Sequence, residues 1–203
     1  MCGIAGFADS DRQAGAGEAS PRLDAEFSLV HGMCDVIRHR GPDDEGIHLE
    51  PGVGLGMRRL SIIDLAGGRQ PLHNETKSIW VVFNGEIYNY RELRAELEAA
   101  GHRFSTSSDT ESIVHAYEEW GEDVFARLRG MFGIALWDRP RRTLLLARDR
   151  AGIKPLHYVE RNGRLYFASE IKSLLAAGAV DRRLNPAALD HFLAFLYTPP
   201  DAS

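Results

Sequence analysis

The chain has 203 residues, 44% of them hydrophobic and 26% charged, with a formal net charge of -5. That is enough apolar material for one large domain or two small ones, and the mild acidity argues against nucleic-acid or membrane-surface binding, which needs basic patches. No apolar run approaches the roughly 20 residues of a spanning helix, and no basic-then-apolar leader opens the sequence. The only cysteines, Cys2 and Cys34, make neither a disulfide framework nor a zinc site, so a reducing, cytoplasmic setting is expected.

MCGIAGFA (1–8) reads as a short buried strand and residues 9–22 as a loop. A helix follows, with Phe27, Val30, Cys34 and Ile37 on its apolar stripe. Cys34 on that stripe is a core residue rather than a reactive thiol. RGPDDEG (40–46) is a turn-rich stop, followed by strands at 47–50, 53–63 and 78–85. Asn84-Gly85 carries a hairpin signal. Residues 90–101 form a helix closed by Gly101, and Ser108-Asp109-Thr110-Glu111 has the form of a capping box that opens the next helix.

Strands at 131–138 and 143–149 flank the RPRR turn (139–142). Asn162-Gly163 predicts a further hairpin, and helices at 170–177 and 186–196 close the chain. Antiparallel hairpins with a few helices between them make an α+β pattern, not a βαβ repeat. TPPDAS (198–203) reads as the start of a linker.

Four positions carry candidate chemistry. Cys2 becomes the N-terminal residue if Met1 is excised, and then holds a thiol and a free α-amine on one carbon. With unperturbed pKa values of about 8.5 and about 7.7–8.0, each lies within reach of the other's proton near neutrality. One residue can then be both nucleophile and general base; position alone favours the plainer reading of a small buried strand residue. Asn84 and Gly85 are either a turn or a pair of donors, a side-chain amide and a backbone N–H, for an oxyanion. Arg59 shares a strand face with Val53, Leu55 and Met57, so it requires a carboxylate, from the protein or from a ligand. Asp109 is either a dipole-favoured acid in a first helical turn or an acceptor for a ligand ammonium. The eight histidines show no HExxH or similar spacing, so no metal site is predicted. A GxxxxGK[ST] phosphate loop is also absent from the sequence.

MCGIAGF, RHRGPDDEG (38–46), RRLSIIDL (58–65), QPLHNE (70–75), FNGEIYNY (83–90), SSDTE (107–111) and ASEIKSLL (168–175) occur in the order seen in glutamine-hydrolysing asparagine synthetases, and the chain resembles that family over nearly its whole length. The resemblance implies a class II glutamine amidotransferase domain with the N-terminal nucleophile hydrolase fold, a four-layer αββα sandwich of two antiparallel sheets. It further implies Cys2 as the nucleophile that releases ammonia from glutamine, Asn84 and Gly85 as the oxyanion site, and Arg59 as partner of the glutamine α-carboxylate. The backbone around Ile63, with Glu86 and Asp109, would recognise the α-ammonium. The expected domain spans 1–185, with 186–203 a terminal helix and the start of a linker to an ATP-dependent synthetase domain. This domain itself needs no cofactor by that resemblance; ATP and magnesium belong to the synthetase domain, and a homodimer is compatible with it. Ala151 and His157 depart from the family pattern, in which an aromatic and a tyrosine commonly stand there, which bears on the identity of the ammonia acceptor. Two other readings stay open: an amidotransferase for a different acceptor, and a non-catalytic glutamine sensor.

Overall fold

The computed structural model describes residues 1–10, 19–60 and 68–197. In chain order the elements are β1 (Gly3–Asp9), α1 (Ala19–Asp35), β2 (Asp44–Glu50), β3 (Val53–Arg59), β4 (Leu72–His73), β5 (Ile79–Ile87), α2 (Tyr90–Ala99), α3 (Asp109–Trp120), α4 (Val124–Arg127), β6 (Gly130–Asp138), β7 (Thr143–Arg148), β8 (His157–Arg161), β9 (Arg164–Ala168), α5 (Ile171–Ala176) and α6 (Pro186–Phe195). Every strand pairing is antiparallel. One sheet has five strands in the order β2-β3-β1-β9-β8, and the other has four in the order β4-β5-β6-β7.

Alternation along the strands sorts the apolar side chains into three cores. Ile4, Leu55, Met57, Val82, Ala135, Trp137 and Phe167 fill the space between the two sheets. Ala5 and Phe7 face the other way and pack with Val30, Met33 and Cys34 of α1, Ile37 just beyond it and Leu174 of α5. Val81, Phe83, Ile134 and Leu136 meet Leu93, Leu97, Ile113, Val114 and Tyr117 of α2 and α3. The fold is thus α+β, a four-layer αββα sandwich, as expected. No helix of the described residues is long and apolar enough to cross a membrane.

α1 lies so close on β3 that a Cβ at Gly54 or Gly56 would come within 2.6 Å of Val30 Cγ2 or 2.5 Å of Cys34 Sγ. Cys34 is fully buried there. Burial, reinforced by the charge of Glu45, pushes its thiol pKa up to about 12, which suits a core residue and not a nucleophile.

Several local expectations are corrected. α1 begins at Ala19, inside the stretch read as loop. Phe27 is off the buried stripe at 49% exposed, whereas Met33 is on it. The place one turn before Val30 belongs instead to Glu26, buried because it bonds Arg22 and Arg164. β2 starts at Asp44, within the predicted stop, and β3 ends at Arg59. Asn84-Gly85 is not a turn: it lies inside β5, in unbroken register with Gly133 and Phe132 of β6. Gly85 is required there by the neighbouring strand, since a Cβ would sit 2.0 Å from the Met131 carbonyl oxygen. Asn162-Gly163 does form the β8–β9 turn, with both residues at positive φ (54° and 72°), the conformation of a type I′ hairpin.

Ser108 caps α3 by accepting from Thr110 N–H. The capping box is not closed, because Glu111 reaches past Ser108 to the N–H and hydroxyl groups of Ser105 and Thr106. Burial opposes ionisation of Glu111, but His115 and these four donors outweigh it and bring its pKa down to about 2. α6 buries none of its residues.

Candidate active site

One cleft at the end of the sandwich is lined by Met1, Cys2, Arg59, Leu60, Gln70, Phe83, Asn84, Gly85, Glu86, Ser108, Asp109, Thr110 and Lys154, among others. Every residue expected to act on glutamine lies there except Ile63, which falls outside the described residues.

Strand parity explains the convergence. Arg59 continues the face of Val53, Leu55 and Met57, all in the inter-sheet core, and is itself 6% exposed. Asn84 continues the face of Val82 into the same space from the opposite sheet. Arg58, one residue out of phase, turns to the outer face, with Glu45 at 3.1 Å and Asp35 at 4.0 Å.

The backbone of β5 supplies the next element. β4 pairs only with Trp80 and Val81, so beyond them the edge of β5 facing away from β6 has no strand partner among the described residues. Phe83 N–H points to that edge and donates to Gln70 Oε1 at 2.6 Å; Ile87 N–H does the same to Asp109 Oδ2 at 3.0 Å. Antiparallel alternation directs the Gly85 N–H, midway between them, to the same edge. The Asn84 amide Nδ2 beside it is buried and has no hydrogen-bond partner among the described residues. A buried donor without a partner is costly, and here it lines the cleft that Cys2 also lines.

Cys2 is held at its backbone. Arg40 Nε donates to the Cys2 carbonyl at 2.9 Å, and Arg40 Nη1 lies 3.0 Å from Glu170. Burial opposes ionisation of Glu170, but Arg40, Lys172 and His39 outweigh it and hold its pKa at about 2, so the clamp keeps its charge. Ser169 extends the β1–β9 pairing, accepting from Ile4 N–H and donating its own N–H to Ile4 O. The RHR and SEIKS segments therefore act together on the first residues of the chain. The Cys2 thiol lies 3.4 Å from Leu60 N and 3.6 Å from Leu60 O, at the end of β3.

Asp109 is 4% exposed. Burial raises its carboxyl pKa and the neighbouring Glu86 carboxylate adds to this, against the hydrogen bonds from Ile87 and Thr110 N–H. A buried acid pushed up in this way is suited to a cationic partner.

Sequence reasoning missed Gln70, Ser108, Thr110 and Lys154 as lining residues. Gln70 ties β5 to α3, since its Nε2 also reaches Thr110 Oγ1 at 3.3 Å. It stands in the QPLHNE motif, and Ser108 and Thr110 flank Asp109 in SSDTE, so the segments were visible but not the roles. Lys154 is 5% exposed, with Nζ 3.3 Å from Met1 Sδ; its backbone is set by Asp149, which accepts from Phe132, Ile153 and Lys154 N–H.

A model of the glutamine amidotransferase domain matches residues 1–203. The chain belongs to the glutamine amidotransferase domain family. It is 48% identical over 186 residues to asparagine synthetase [glutamine-hydrolyzing] 2 of Bacillus subtilis, covering 91% of this chain and 24% of that protein. It is 43% identical to asparagine synthetase [glutamine-hydrolyzing] 1 of the same organism, over 98% of this chain and 30% of that protein. The amidase chyE of Penicillium rubens is 42% identical over 88% of this chain and 27% of its own length. The chain thus spans about a quarter to a third of the curated relatives it matches. Among solved structures, the glutamine phosphoribosylpyrophosphate amidotransferase of B. subtilis superposes on 87% of this chain and 44% of its own with a TM-score of 0.67 at 18% identity, a likeness of fold.

Proposed function

We propose that this domain hydrolyses L-glutamine to glutamate and ammonia through a thioester on Cys2. The observation that carries the reading is the buried, unpartnered Asn84 Nδ2 beside the strand-edge N–H of Gly85, in the cleft lined by Cys2. A side-chain amide and the next residue's backbone N–H in one cleft suit an oxyanion that exists only in the tetrahedral intermediate.

In this reading Met1 is excised and Cys2 carries the free α-amine. The amine takes the thiol proton as sulfur bonds to the carboxamide carbon, and the carbonyl oxygen gathers charge against Asn84 Nδ2–H and Gly85 N–H. The ammonium returns its proton to the departing nitrogen, ammonia leaves, and a thioester remains. Water, deprotonated by the same amine, then attacks the thioester, releasing glutamate and restoring the thiol. Arg59 holds the substrate α-carboxylate, while Glu86 and Asp109, with the backbone around Ile63, hold the α-ammonium.

Arg59→Ala is expected to raise KM for glutamine by tenfold or more, on the scale of about 1.4 kcal/mol or more for a lost charged contact, with a smaller change in kcat. Steady-state kinetics check this, and an unchanged KM removes Arg59 from the carboxylate site.

Asp109 adds a pH dependence. Its raised pKa means that it protonates above the ordinary aspartate range as pH falls. An ammonium needs the ionised form, so kcat/KM for glutamine should decline on acidification along a limb displaced upward from that range, and Asp109→Asn should abolish that limb. The stability effect has the opposite sign: a carboxyl with a raised native pKa destabilises the ligand-free fold once ionised. Asp109→Asn should therefore weaken glutamine binding without lowering the urea midpoint at pH 7. A large loss of stability in this variant would instead mark Asp109 as structural.

We further infer that the ammonia passes to an ATP-dependent synthetase domain C-terminal to this one, with residues 1–185 as the glutaminase unit and 186–203 leading to that partner. ATP and magnesium would act there, with aspartate as acceptor. The 48% identity to a glutamine-hydrolysing asparagine synthetase supports this choice. Amidase chyE, at 42% identity, is a relative not named as an asparagine synthetase, which favours a second reading in which the acceptor is not aspartate. Assay of the full-length protein with aspartate and ATP separates the two by whether asparagine forms.

A further inference from the structure

The loop after α2 brings His102 back against α3, where His115 and Glu118 stand three residues apart on one helical face. One donor atom from each of the three side chains lies within 4.8 Å of the other two. Glu118 Oε2 is 2.8 Å from His115 Nδ1 and 3.8 Å from His102 Nδ1. The group lies outside the glutamine cleft, whose lining from α3 ends at Thr110.

We propose that His102, His115 and Glu118 form a binding site for a divalent transition-metal ion of the zinc type, joining the loop after α2 to α3. Two imidazoles and a carboxylate are a donor set that such ions favour, with a remaining position open to water. Ligand bonds of about 2.0–2.2 Å at tetrahedral angles place neighbouring donors about 3.4 Å apart. The two observed separations, 2.8 and 3.8 Å, straddle that value. Relative shifts of about 0.4 to 0.6 Å would bring Glu118 Oε2 to that spacing from each histidine.

The outer contacts point the same way. Imidazole ligands of metals usually present their second nitrogen to a carboxylate or carbonyl, which fixes the tautomer and raises basicity. Here Nε2 of His102 lies 3.3 Å from Glu119, and Nε2 of His115 lies 3.7 Å from Glu111. The other oxygen of Glu118 accepts from Asn74 Nδ2 at 2.6 Å, leaving Oε2 as the atom turned to the histidines. Each of the three ligands thus has its far atom near an outer partner and its near atom directed inward. Phe104 packs edge-on against the His115 ring at 4.7 Å and limits its rotation. Three carboxylates, those of Glu111, Glu118 and Glu119, surround only two histidines, so an added cation meets a favourable field.

The test is zinc titration by calorimetry on the chelator-treated chain carrying Cys2→Ala, which removes the accessible thiol as a competing ligand. One equivalent should bind, with a rise in Tm on addition. His102→Ala and Glu118→Gln, each introduced separately, should weaken binding at least about tenfold while circular dichroism stays unchanged; His102 is on a loop and partly exposed, so its loss should leave the fold intact. Cobalt(II) bound in place of zinc should show the visible bands of a nitrogen–oxygen site with no thiolate charge-transfer band. Absence of stoichiometric binding, or binding unaffected by His102→Ala, would overturn the proposal.

Discussion

Replacing Cys2 with Ala should lower the glutaminase rate by about 10⁴-fold or more, the scale of loss when a covalent nucleophile is removed. The protein should remain folded. The Cys2 side chain is only partly buried, and the backbone contacts that hold its segment do not involve sulfur: Arg40 binds the carbonyl, and Ser169 pairs with Ile4. Far-UV circular dichroism and the urea midpoint should therefore match the parent. Unchanged glutamate release from this variant would falsify the thioester pathway. Loss of activity with loss of fold would mean that the thiol contact to Leu60 is structural.

Asn84→Ala should produce the second largest effect. Removing one oxyanion donor costs roughly 100- to 1,000-fold in kcat in hydrolases of this general type. Because the oxyanion exists only in the transition region, KM should change little. A stability loss is not expected from lost hydrogen bonding, since Nδ2 has no partner among the described residues. That combination, a crippled kcat with KM and stability nearly preserved, separates an oxyanion donor from a structural amide. A variant that loses KM and kcat in equal measure would assign Asn84 to ground-state binding.

The two Asn-Gly dipeptides show what was legible in the sequence. Asn162-Gly163 forms the turn that its composition suggests, and Asn84-Gly85 does not. A dipeptide reports local backbone freedom and nothing about what lies beside it. At Gly85 the deciding constraint is the Met131 carbonyl on the paired strand, 46 positions away in sequence, which leaves no room for a Cβ. The strand parity that places Arg59 was local and could be read directly. Its choice between a protein carboxylate and a ligand was not local and stayed open. α1 was misread at Phe27 because a charged network at Glu26, Arg22 and Arg164 takes the inward position. The histidine cluster was invisible for the same reason, since His102 and His115 share no ligand spacing and meet only when the loop folds back on α3. The α+β class was legible in the run of hairpins and helix stripes, whereas the four-layer architecture came from the resemblance of the motif order to a known family.

An intact-mass measurement paired with a glutaminase assay on the same sample tests Cys2 as an N-terminal nucleophile. Met1 should be absent from the active protein and the hydrolytic rate should follow the processed fraction, because only a free α-amine can take the thiol proton. Full activity in protein whose mass retains Met1 would contradict it.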